Sequence, residues 1–162
     1  MRKLTEVEEA KALMTEAVEW SVMKWLREKK RVRKAADKAN HALDALEQEI
    51  KRSWSTELTA AYDALLPASS PAAAGRQPPA RKGSDGLSAE VRLAARHIKQ
   101  ADDHAYRAHM TAENTFDEAE RQLSTRLARE GCSLAIASWE LHESAIRKAE
   151  AAVQKREATG HS

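Results

Sequence analysis

From Arg2 to Leu66 the sequence contains neither glycine nor proline, the two residues that most readily end a helix. Glutamate, lysine, arginine, alanine and leucine dominate the stretch. It therefore predicts one long helix over residues 1–66, roughly 90 Å of it if unbroken. The character then changes: PASSPAAAGRQPPARKGSDG, residues 67–86, holds all four prolines together with Gly75, Gly83 and Gly86. Such a segment is too poor in apolar side chains to order itself and reads as a flexible linker. Helix formers resume at Leu87 and predict a second long helix over 87–158, with Gly131 as a possible break, followed by a disordered tail at 159–162. Ser88 with Glu90 is an imperfect helix start, and the serines flanking Trp54 mark another candidate break.

Apolar residues recur at steps of three and four in both segments, which is the coiled-coil spacing. The first seam runs Leu4, Val7, Met14, Val18, Val22, Trp25, Val32, Leu43, Leu46, Ile50, Trp54 and Leu58, with lysines at positions 11 and 29. Consecutive four-residue steps at Ile50, Trp54 and Leu58 resemble a stutter. The second seam runs Val91, Ile98, Phe116, Leu123, Leu127, Leu134, Ser138 and Leu141, with alanines between. Two such seams joined by a flexible linker favour an antiparallel pairing, in which facing residue numbers sum to roughly 153. The expected fold is all-α: an elongated, coiled-coil-like antiparallel two-helix hairpin, becoming a four-helix bundle on dimerisation.

The stretch AVEWSVMKWL, residues 17–26, carries more apolar surface than one seam can use. A second stripe of Leu13, Ala17, Trp20 and Met23 lies beside the first. In the second helix Cys132, Ile136, Trp139 and Ile146 do the same beside Leu134 and Leu141. The hairpin register brings the two doubled regions together and sets Gly131 near Met23 and Trp25. Two arrangements satisfy this pattern. Either the eight residues form an interface with a second copy or another helical protein, tryptophan being a frequent interface anchor, or the chain breaks at Gly131 and folds back over its own stripe. The expectation adopted here is the first: a non-catalytic self-assembly or adaptor protein, homo-oligomeric or bound to another helical protein.

Charge is dense but balanced, with 32% charged residues and a net charge of +2, so any pull on a polyanion must be local. The run Lys24, Arg27, Lys29, Lys30, Arg31, Arg33 and Lys34 is such a patch, and binding of nucleic acid or an acidic membrane surface through it is the alternative function. The milder reading pairs the run with Asp117, Glu118 and Glu120 across the hairpin, as a solvated coil flank. No histidine has a glutamate three residues before it, which excludes the Glu-x-x-His pairs of di-iron bundles. His41, Asp44, His109 and Glu113 remain as a loose metal set, and no metal or cofactor is expected. The one cysteine, Cys132, lies in an apolar stripe and reads as an inert buried thiol. No phosphate-binding glycine loop or nucleophile elbow occurs, and two long helices offer no concave pocket, so no enzyme is expected. The start MRKLTEVEEA turns acidic where a signal peptide becomes apolar, no run approaches the ~20 apolar residues of a membrane span, and a single cysteine suits a reducing compartment, so a cytoplasmic location is expected.

Overall fold

The computed structural model describes residues 4–66 and 88–160, of which residues 154–160 are described as backbone only. The linker at 67–86, Leu87 and the last two residues of the tail lie outside the described residues. What is described is all-α, as the sequence implies, but it forms five helices rather than two: α1 (Thr5–Ala17), α2 (Val22–Arg52), α3 (Thr56–Asp63), α4 (Ala89–Gln122) and α5 (Thr125–Gly160). Helix α5 continues two residues past the expected start of the tail.

The extra helices come from breaks that need neither glycine nor proline. Each restart is marked by serine. The side-chain oxygens of Ser21, Ser55, Ser88 and Ser124 accept the backbone N–H of Lys24, Leu58, Val91 and Leu127, three residues on in every case. This is the N-cap bond that satisfies one of the orphan donors of a first helical turn. Of these, Ser88 and the Ser53–Ser55 break are legible from sequence. The break at Trp54 replaces the stutter: the indole, freed from the helix line, is buried and donates from Nε1 to the carbonyl of Ala149, 3.1 Å away.

The second long helix turns at Leu123, eight residues before Gly131. Leu123 takes the left-handed conformation (φ 53°), with Leu123 N donating to Glu120 O and Ser124 N to Ala119 O. This is the Schellman pattern of bonds, normally closed by glycine. Leu123 is consequently turned out of the seam and is 82% exposed. Gly131 stays helical inside α5. A Cβ there would stand 2.9 Å from the Phe116 ring, so its missing side chain makes room for a ring, but that of Phe116 and not of Trp25.

Both long helices double back at one level of the molecule. Helix α1 returns along α2 and also packs on α5, while α5 returns along α4 and packs on α2. The expected antiparallel register survives in two places, since Lys11 reaches Glu143 (2.5 Å) and Lys51 reaches Asp102 (3.0 Å). Doubling back adds a third relation, with α2 running parallel to α5: Trp139 Nε1 donates to Asn40 Oδ1 at 2.8 Å, and His142 meets Glu47 at 2.7 Å. One core joins α1, α2, α4 and α5 around Met14, Trp20, Val32, Leu43, Phe116 and Trp139, and a smaller one lies under α3 around Trp54, Leu58 and Ile98.

The two turn positions set opposite expectations. Gly131→Ala gains about 1 kcal/mol of helix propensity but must displace a packed ring at a cost of about 1–3 kcal/mol, so a net loss of stability is expected. Leu123→Gly relieves a left-handed residue and gains about 1 kcal/mol. Urea unfolding midpoints of the two variants check both signs.

Candidate functional site

Six of the eight residues expected at an interface, Leu13, Ala17, Trp20, Cys132, Trp139 and Ile146, are buried in the chain's own core. Ile136 is partly buried against them, and Met23 alone is open, at 68% exposure. The reason is the doubling back: with α1 lying against both α2 and α5, each of its two stripes meets a neighbour. The fold-back arrangement thus covers the stripe within one chain, through breaks at 18–21 and 123–124 rather than at Gly131. Arg129 on α5 fastens the first of these turns, donating from Nη2 to the carbonyl of Trp20 at 2.6 Å. Burial pushes the Cys132 thiol up to about 12, as suits an inert core cysteine.

Helices α2 and α4 approach each other less closely than either approaches α5. They leave a seam floored by α5, and two hollows lie along it. The first, of about 270 Å³, is lined mostly by residues with polar side chains: Asn40, Asp44 and Glu47 of α2, Asp102, Tyr106 and His109 of α4, and Ser138, Trp139 and His142 of α5. It corrects the expectation that the helices would offer no concavity, which assumed two of them rather than three. The second, of about 160 Å³, is mainly apolar and lies at the turn end, between Val22, Trp25, Leu26 and Lys29 on one side and Phe116, Ala119, Glu120 and Leu123 on the other.

A charge network runs through the first hollow. His142 Nε2 lies 2.7 Å from Glu47 Oε2 and 3.9 Å from Asp44 Oδ1. Lys51 Nζ bridges Glu47 Oε1 (2.8 Å) and Asp102 Oδ2 (3.0 Å), and Tyr62 donates to the same Asp102 oxygen at 2.5 Å. Burial opposes the charge on Glu47, but the hydrogen bond from His142 and the Lys51 ammonium outweigh it and hold the carboxyl down at about 2. Burial likewise opposes protonation of His142, and its bond to Glu47 and the charges of Glu47, Asp44 and Asp102 outweigh that, so its pKa is raised. Asp102 is pushed up by burial and by Glu47, against the pull of Lys51.

Of the loose metal set, Asp44 and His109 line this hollow, His41 is exposed away from it, and Glu113 is drawn instead to Arg33 at 3.8 Å. Glu47, Lys51, Asp102 and His142 were not singled out from sequence. The spacing Asp44, Glu47, Lys51 on one face of α2 and the antiparallel register to Asp102 were available signals. His142 was not, because only the doubling back sets α5 alongside α2.

The basic run is distributed among several partners. Arg33 pairs with Asp117 (3.5 Å) as well as Glu113 and stands over the Phe116 ring, as the cross-hairpin register implied. Lys24 reaches Glu16 and Arg31 reaches Glu28, while Glu118 turns to Arg121 on its own helix. Arg27, Lys29, Lys30 and Lys34 form no ion pair among the described residues; Lys34 and Arg31 share a groove with Glu6, Glu9 and Glu16 of α1. No described helix is long and apolar enough to cross a membrane. No protein-family model, curated protein or solved structure matches the chain.

The shifted pair sets a pH window. A raised histidine contributes stability fully below its ordinary value of 6.5 and loses it as pH rises through the raised one; a depressed carboxyl contributes fully above 4.5 and loses it toward 2. The pair is therefore at full strength from about pH 4.5 to about 6.5 and weakens above that. In metal-free buffer, the excess thermal stability of wild type over His142→Gln is expected to shrink on going from about pH 6 to pH 9. An excess that stayed constant would contradict the assignment.

Proposed function

We propose that the protein is a non-catalytic helical assembly module that pairs with a second copy of itself through the turn end of the α2–α4 seam. The observation that carries this reading is an exposed apolar cluster: Val22 (52% exposed), Leu26 (50%) and Leu123 (82%) gather around the apolar hollow lined by Trp25 and Phe116, with Met23 (68%) exposed beside Val22 in sequence. Large apolar side chains grouped in this way are a feature of interaction surfaces, whereas scattered ones are ordinary. The interface residues expected from sequence thus give way to Val22 and Leu26 of the same AVEWSVMKWL stretch, joined by Leu123 after α4.

Charge favours a second copy as the occupant. The α2 rim of the hollow carries Lys29 and Arg33, and the α4 rim carries Glu120. In a two-fold pairing each rim of one copy meets the opposite rim of the other, so the surface is self-complementary. Within the chain, Arg33 is already held by Glu113 and Asp117, Lys24 by Glu16 and Arg31 by Glu28, which lowers the pull of the basic run on a polyanion. Sedimentation across concentration tests the proposal. A dimer is expected in wild type and a monomer in Leu26→Glu with Leu123→Glu, both positions being exposed enough to spare the fold. Wild type that stays monomeric, or a variant that still dimerises, would overturn it.

A further inference from the structure

The first hollow is a candidate metal site, and it stands independently of the pairing proposed above. We infer that Asp44, Glu47 and His142 bind a divalent transition metal ion, with zinc the natural probe. Their donor atoms all lie within 4.8 Å of one another. Around a tetrahedral ion with bonds of about 2.0–2.1 Å, donors sit about 3.3 Å apart. The separations from His142 Nε2, 2.7 Å to Glu47 and 3.9 Å to Asp44, bracket that spacing, so rotations of the two carboxylates close the site without backbone movement.

Three further features suit an ion. Glu47 divides its oxygens: Oε1 is held by Lys51, which leaves Oε2 fixed toward His142 as the ligating atom. A carboxylate braced in this way loses little freedom on binding. Asp44 has no ion-pair partner among the described residues apart from His142, and it stands at the exposed mouth, where an ion enters. Water entering through the exposed mouth supplies the fourth donor; His109 lines the same hollow from α4 but does not belong to the cluster of three. One imidazole and two carboxylates form a set of intermediate hardness, which favours zinc and its neighbours over magnesium or calcium, cations that select oxygen donors alone. On binding, the ion takes the place of the proton shared between His142 and Glu47 and fastens α2 to α5.

Isothermal titration of zinc into the full chain, after removal of metal with chelator, tests the inference. One ion per chain is expected, accompanied by a rise in melting temperature, with no response to magnesium. Asp44→Asn is expected to weaken binding by about a hundredfold or more, since even the supporting partners of a ligand are worth tenfold to a hundredfold. His97→Ala, on the exposed outside of α4, serves as a control and should leave binding intact. Absence of zinc binding in wild type, or equal binding by wild type and Asp44→Asn, would overturn the site. Because Asp44 is exposed, its variant folds and the comparison stands even if His142→Ala does not fold.

Discussion

A helix with apolar residues on two adjacent stripes must be touched by two neighbours, and the chain supplies both itself. Helix α1 is the clearest case, with Val7, Ala10, Leu13, Met14 and Ala17 all buried across a width that one partner helix cannot cover. Everything else follows from meeting that demand within one chain. The first long helix folds at 18–21 and the second at 123–124, which brings α1 and α5 back along the molecule and provides the added neighbours a dimer would otherwise contribute. Full burial of a tryptophan or leucine side chain is worth about 1.5–3 kcal/mol, so covering Trp20 and Trp139 outweighs the few hydrogen bonds surrendered at a capped break.

The same folding-over creates the chemistry. Helix α5 becomes the floor under α2 and α4, and long polar side chains span the wider seam between them. Lys51 is central: its ammonium reaches Glu47, Asp102 and the Tyr62 hydroxyl, and it lies 4.4 Å from the centroid of the Tyr62 ring. Such a half-buried cation joins two carboxylates that would otherwise repel each other. Removing one member of a network like this costs more than the pair is worth, because the others are left buried without partners. The seam is therefore rigid and polar at its middle and apolar at its turn end, which separates the proposed ion site from the proposed pairing surface.

The helical class, the break beside Trp54 and the register between Lys51 and Asp102 were legible because they depend on local composition and spacing. The doubling back was not, and the reason is physical. Its turns use serine caps and a leucine in the left-handed region, whereas Gly131, the conspicuous candidate, is spent on making room for Phe116. With the turn at 18–21 unmarked and the second set at Gly131, eight residues past Leu123, the Trp20 stripe looks unpartnered and His142 looks remote from Glu47. The doubled stripes need cover on any fold, and the sequence pattern alone does not say which chain provides it.

The most direct test is the distance between spin labels at positions 9 and 38, measured with labelled protein diluted into unlabelled protein so that only pairs within one chain contribute. Glu9 and Lys38 line one groove between α1 and α2, so a separation below about 25 Å, labels included, is expected. An unbroken first helix would place them about 44 Å apart, at 1.5 Å per residue, and that result would contradict the doubled-back fold on which the rest depends.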